Sequence, residues 1–307
     1  MTYTALTFPS DGVTCAGRFY PGAAQSPFDD DGRRPVVIMA HGFGGTVDSG
    51  LDPFAQAFAD AGLAVLAFDY RGFGASQGSP RQRIRLADQA QDYSSAIAAA
   101  AAQPGVDPER IVLWGVSMSG GTVVQVAAGR TDVAAVIALA PLVNGLAAGV
   151  HAYPQSGVRA MARSAAAGMR SAVAGRLGRA GTLMPIVGRP GENAALTAPG
   201  FYEAYTAIAG PTWRNEVDAT VGLEIGGLNV NKAAAAVTAP VLVQIADLDQ
   251  GAPPQAAAKT AFKARAQVRH YPCDHFDVFA PNDWFAPAVA HQLAFLTRQL
   301  APAAAHR

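Results

Sequence analysis

Five short apolar runs limit what this chain can fold into: 36–40 (VVIMA), 64–68 (AVLAF), 111–114 (IVLW), 136–139 (VIAL) and 241–245 (VLVQI). Each is too short for a buried helix and almost free of the polar alternation of a half-exposed strand. With helical stretches between them, they read as strands of a mostly parallel sheet covered by helices on both faces. Two earlier segments, 4–8 and 13–20, are joined through Ser10-Asp11-Gly12 and read as an antiparallel hairpin at the sheet edge. Residues 23–34 form a polar loop rich in Gly, Pro and Asp.

Between Leu139 and Val241 lie roughly a hundred residues with no good buried strand, too many for an ordinary connection. One large domain carrying an inserted subdomain is expected. In the insertion Val158, Met161, Ala165, Met169, Val173 and Leu177 recur at helical spacing, with Arg159, Arg163, Arg170 and Arg176 off that face. The stripe reads either as core packing or as a lid over a substrate pocket; the arginines read as a solvated face.

Composition narrows the function. The chain of 307 residues carries 23 basic and 23 acidic side chains, so no net field draws it to nucleic acid or an anionic membrane. A small or neutral substrate is expected, and a homodimer is an open option. The N-terminus lacks a basic segment followed by an apolar one, and no apolar run approaches the roughly 18 residues of a membrane span. A cytoplasmic location is the expectation. Cys15 and Cys273 suggest neither a disulfide framework nor a metal cluster. No residues have metal-ligand spacing, and the glycine-rich runs lack the lysine of a phosphate loop, so neither metal nor cofactor is expected.

The chemistry concentrates in four places. Residues 111–121 (IVLWGVSMSGG) run a buried strand into a small-residue turn and then a helix-like stretch, 122–128. A nucleophile elbow needs that context, because its serine sits on a strained turn whose neighbours two positions away must be small. Gly115 and Ser119 flank Ser117, with serine where G-x-S-x-G has its last glycine. Read two residues later, Ser119 lies between Ser117 and Gly121. Strand length favours Ser117, since the apolar strand ends at Trp114 and places the first serine at the turn. Just beyond 36–40, residues 41–45 (HGFGG) can turn backbone N–H groups towards a cavity. Phe43 N–H and Met118 N–H are the candidate oxyanion donors, and His41 reads as shaping the turn. The strand at 241–245 ends in Asp247 and Asp249, of which Asp249 is the preferred orienting acid. His275, after a last short strand at 266–271, completes the order Ser, Asp, His. His270 falls in that strand, His291 on a C-terminal helix and His151 in the insertion, while Asp69 reads as bracing a loop.

Taken together, HGFGG at 41–45, FDYRGFGAS at 68–76, WGVSMSGG at 114–121, QIADLDQGAPP at 244–254 and YPCDHFDVF at 271–279 resemble bacterial serine hydrolases of the α/β-hydrolase superfamily. The similarity lies near the dienelactone-hydrolase-like, acetyl xylan esterase-like and X-Pro dipeptidyl-peptidase-like groups. It implies an α/β-hydrolase fold with an eight-stranded, mostly parallel sheet, helices on both faces and an inserted helical cap. The core would be 1–143 and 237–307, and the cap 144–236. It also implies Ser117 as nucleophile, Asp249 as acid and His275 as base. Dienelactone hydrolases proper carry cysteine at the elbow, which sets this chain apart from them.

The expected reaction is two-step acyl transfer to water through a Ser117 acyl-enzyme. A small or medium carboxylic ester is the first choice of substrate. Thioester, lactone and amide or peptide hydrolysis, and acyl transfer, use the same triad, and an inactive ligand-binding relative is the alternative from another class. The acyl pocket is expected to be lined by Met161, Met169, Phe201, Tyr202, Tyr205 and Trp213 from the insertion.

Overall fold

The computed structural model describes residues 3–301; side chains of residues 154–161 and 164 lie outside the described residues. The chain opens with β1 (Thr4–Ser10) and β2 (Val13–Tyr20), paired antiparallel with Phe8 opposite Cys15. Asp11 and Gly12 between them have φ of 49° and 78°. Two consecutive positive φ values are what a two-residue hairpin turn demands, and Asp-Gly supplies them at low cost.

Next come β3 (Arg34–Ala40), α1 (Asp52–Asp60), β4 (Ala64–Phe68), α2 (Leu86–Ala101), β5 (Val106–Val116), α3 (Met118–Ala127) and β6 (Val133–Leu139). The insertion follows, with α4 (Gly145–Arg176), β7 (Leu183–Met184), α5 (Phe201–Ile208), β8 (Val217–Asp218), α6 (Val221–Gly226) and α7 (Asn231–Ala235). The chain then returns through β9 (Val241–Ala246), α8 (Pro254–Lys263), β10 (Gln267–Tyr271) and α9 (Phe285–Leu300).

Eight strands form one sheet in the order β1-β2-β4-β3-β5-β6-β9-β10, parallel from β4 onward and antiparallel at the β1/β2 edge. β4 and β9 are buried along their whole length, as expected of strands covered on both faces. Chain direction across the sheet reverses at β3: β4 lies on one side of it and β5 on the other. The loops leaving the carboxyl ends of β3 and β5 therefore diverge, and such a switch point is where open α/β sheets form a crevice. Those two loops are 41–45 and the turn at Ser117.

The insertion departs from the expected periodic helix. Its two short strands pair only with each other, and α4 turns Met169, Val173 and Leu177, just past its end, outward at 56%, 55% and 64% exposure. α4 is instead seated by small residues. A Cβ on Gly168 would stand 2.9 Å from the Ala219 carbonyl, and Ser171 Oγ donates to Asp218 Oδ1 at 2.9 Å. Both contacts escape an apolar period, because one uses a missing side chain and the other a polar one. The stripe is thus neither core nor pocket wall at Met169, Val173 and Leu177; Val158 and Met161 have side chains outside the described residues. Among the described residues no helix is long and apolar enough to cross a membrane.

Candidate active site

β5 delivers Ser117 to the switch point in a backbone conformation that L-residues rarely adopt, φ 57° and ψ −121°, and α3 begins at the next residue. Such strain persists only where the surroundings over-determine it. Here Ser117 N–H donates to Leu139 C=O (2.9 Å), while Ser117 C=O accepts from Gly120 N–H (3.0 Å) and Leu142 N–H (2.8 Å). The neighbours must be small: a Cβ on Gly115 would overlap the Ser119 carbonyl, and one on Gly42 would stand 2.9 Å from Ser117 Cβ. Ser119 is fully buried and occupied, its Oγ accepting from Val116 N–H (2.8 Å) and lying 2.9 Å from Ala40 C=O. Of the two serines, Ser117 lines the cavity.

The loop after β3 lies against this turn. His41 is buried, with Nδ1 3.0 Å from Gly42 C=O, and desolvation lowers its pKa to about 4. It stays neutral near pH 7 and shapes the loop, as the sequence suggested. Asp69 braces the loop's far side, accepting from Val47 N–H (2.6 Å) and Ala75 N–H (2.9 Å). Phe43 touches the cavity beside Ser117, and its carbonyl accepts a 2.6 Å hydrogen bond from the Tyr205 hydroxyl of α5. Met118 heads α3, so its N–H has no acceptor within the helix.

The acid and the histidine come from the ends of β9 and β10. Asp249 is buried; its Oδ1 accepts from Gly251 N–H (2.8 Å) and Ala252 N–H (2.7 Å), and its Oδ2 lies 2.6 Å from His275 Nδ1. Burial pulls the His275 pKa down, but the charge and hydrogen bond of Asp249 outweigh it and the net shift is upward. Asp247 instead pairs with His270 Nδ1 at 2.6 Å in a half-exposed position. Asp274, which sequence reasoning passed over, ties the two loops together by accepting from Gln250 N–H (2.9 Å) and His275 N–H (2.7 Å). His151, on α4, places Nε2 2.8 Å from the Asp249 carbonyl. No motif marks His151, and Asp274 lies within YPCDHFDVF without a role legible there, because the Asp249 carbonyl and Gln250 N–H that they meet are brought close only by the fold.

Ser117 and His275 face a cavity of about 530 Å³ whose walls, among the described residues, carry no Lys, Arg, Asp or Glu. Its apolar surface comes from Leu142, Met184, Leu196, Phe201, Val221 and Ile225 among others. Of the insertion residues expected there, Phe201 lines it. Tyr205 lines a small adjoining chamber of about 30 Å³ that shares Phe43, Ser117, Leu196 and His275 with the cavity and lies on the side of His41, Phe276 and Phe279. Tyr202 lies off the cavity with the Arg189 guanidinium over its ring, Trp213 stacks on Tyr205, and Met169 is exposed. Met161 has its side chain outside the described residues. Leu196 and Ile225 belong to a loop and a short helix with no period to reveal them.

The sheet, its switch point and the residues gathered there define a serine hydrolase of the α/β-hydrolase fold. Residues 31–274 match the family model described as serine aminopeptidase, S33, and the chain belongs to that family. The quorum-quenching protein AidA of Acinetobacter baumannii is 31% identical over 296 residues, 95% of this chain and 94% of its own. The thiohydrolase aneE of Aspergillus aculeatus is 38% identical over 144 residues, 47% of this chain and 43% of its own. Among solved structures, the α/β hydrolase GrgF from Penicillium superposes with a TM-score of 0.80 at 24% identity, covering 98% of this chain and 100% of that one. That last similarity speaks to fold alone.

Proposed function

We propose that the protein hydrolyses carboxylic esters with an uncharged, apolar acyl chain through a Ser117 acyl-enzyme. The observation that carries the reading is the buried Asp249–His275 pair opening, with strained Ser117, on an apolar cavity in which His275 is the one ionisable wall residue among the described residues. In this reading His275 takes the Ser117 proton as the hydroxyl attacks the carbonyl carbon. Asp249 holds the imidazole tautomer and stabilises its cation. Phe43 N–H and Met118 N–H receive the oxyanion. The alcohol leaves with the proton from His275, and water, deprotonated by His275, releases the acid. Residues 144–236 act as the cap, which supplies Met184, Leu196, Phe201, Val221 and Ile225 to the acyl pocket.

Thioesters are the second reading, favoured by the similarity to a thiohydrolase over 47% of the chain. Aminopeptidase chemistry is a poorer fit, because among the described residues the cavity wall offers no carboxylate to hold a peptide's α-ammonium group. A p-nitrophenyl ester series from acetyl to octanoyl, run beside a thioester and an aminoacyl anilide, tests the assignment. Burying each CH₂ contributes about 0.8 kcal/mol, so kcat/KM is expected to climb up to about four-fold per carbon until the cavity is filled, with the anilide poor. A flat profile, or preference for the anilide, refutes it.

A further inference from the structure

The loop that carries Phe43 is held from the cap side. Tyr205 donates its hydroxyl to the Phe43 carbonyl at 2.6 Å, and both residues are buried. Ile186 occupies the space a Cβ on Gly44 would need, 2.6 Å from its Cδ1. Thr212 N–H reaches Asp48 Oδ2 at 3.1 Å. The Tyr205 ring is itself immobilised, stacked on Trp213 with centroids 5.1 Å apart and set edge-on to Phe276, the neighbour of His275. Desolvation drives its pKa well above that of free tyrosine, so the hydroxyl remains a neutral donor over the working range of pH.

Three of the five residues at 41–45 are glycine, and Gly44 has φ 63°. Glycine leaves a loop free to choose among many conformations, whereas an oxyanion donor works only when its direction is set before the reaction. Gly42 lies so close to the elbow that a Cβ on it would stand 2.9 Å from Ser117 Cβ. Among the described hydrogen bonds, Tyr205 supplies the one received by the Phe43 carbonyl. The Phe43 N–H belongs to the peptide whose Gly42 carbonyl lies 3.0 Å from His41 Nδ1, and Tyr205 holds the peptide that follows, so Phe43 is restrained from both sides.

Building on the hydrolase reading above, we infer that Tyr205 is a positioning residue: its hydroxyl, carried on the cap, fixes the Phe43 carbonyl and so restrains the residue whose N–H receives the transition-state oxyanion. The cap then does more than cover the acyl pocket; without it the oxyanion loop lacks its clamp.

The test uses Tyr205→Phe in the full chain, which keeps the ring on Trp213 and removes the donor. With p-nitrophenyl butyrate, kcat is expected to fall about ten-fold while KM stays within about two-fold. An alkyl trifluoromethyl ketone, which forms a tetrahedral oxyanion adduct with Ser117, is expected to lose affinity by the same factor. The primary alcohol of equal chain length should bind as before. Tyr202→Phe should match the wild type, and 3-fluorotyrosine at position 205 should retain wild-type kcat or exceed it. Unchanged kcat in Tyr205→Phe overturns the inference, as does an equal loss of affinity for ketone and alcohol, the mark of a loosened pocket. Should Tyr205→Phe prove too unstable to assay, weaker ketone binding by the fluorotyrosine protein overturns it instead. A wild type that neither turns over the ester nor takes up a fluorophosphonate at Ser117 defeats the hydrolase reading and this inference with it. An active wild type beside an unaffected Tyr205→Phe defeats the inference alone.

Discussion

Ser117 and Ser119 stand two positions apart on one turn, and their hydrogen bonds separate their tasks. Ser119 Oγ is consumed between Val116 N–H and Ala40 C=O, whereas Ser117 opens on the cavity. Fluorophosphonate labelling followed by peptide mass spectrometry should therefore lose its adduct in Ser117→Ala and keep it in Ser119→Ala. Ser119→Ala should retain substantial activity but unfold more easily, by about 1–3 kcal/mol, because buried polar partners are left unpaired. An adduct surviving in Ser117→Ala reverses the assignment. For the acid, Asp249→Asn is expected to lower kcat by several orders of magnitude, since a buried acid that orients the base acts as a unit with it. Asp247→Asn should cost far less, its partner being the half-exposed His270. His275 must be neutral to accept a proton, and Asp249 holds its pKa above 6.5 against the pull of burial. The acid limb of kcat/KM should thus fall about ten-fold per pH unit below a midpoint above 6.5, and shift to lower pH in residual Asp249→Asn activity. The same upward shift contributes stability below about pH 6.5 that fades as pH rises through the folded-state value. A pH profile with its acid limb centred below the ordinary histidine value of 6.5 contradicts this account.

Helix α3 is placed by what it lacks. A Cβ on Gly121 would overlap the Leu142 carbonyl, and one on Gly120 would stand 2.8 Å from Pro141 Cβ. Gly121→Ala should then lower stability by about 1–3 kcal/mol through overpacking, seen as a lower midpoint in urea; an unchanged or raised midpoint would show that the helix can move away. The apolar strands were legible because burial on both faces leaves little else for a central strand to contain. β5 was legible only from Ile111, although it begins at Val106. The stretch before Ile111, Asp107-Pro108-Glu109-Arg110, is polar and carries no apolar run, yet Val106 pairs with Arg34 before the register shifts. α4 misled more deeply. Helical spacing was real, but Gly168 and Ser171 decide which side meets the protein, and a hydrophobic period cannot register small or polar contacts.

Across the whole molecule the two cysteines illustrate how far position in sequence is from position in space. Both thiols are free and buried, and burial pushes each up to about 12. Cys15 lies on β2 and Cys273 just past β10, six places along the sheet order. At about 4.8 Å per strand their ends of the sheet are about 29 Å apart, far beyond disulfide reach. The local features of the chain settle the strand–helix alternation, the hairpin at Asp11-Gly12 and the small-residue turn at Ser117, because each depends on backbone sterics and burial within a few neighbouring residues. Contacts between distant parts of the chain settle the rest: His151 on the Asp249 carbonyl 98 positions away, Phe201 on the cavity wall, Tyr205 on Phe43 162 positions away. Such contacts depend on which loops the sheet order brings to its switch point and on which side of α4 is buried, and neither is written in any one stretch of residues.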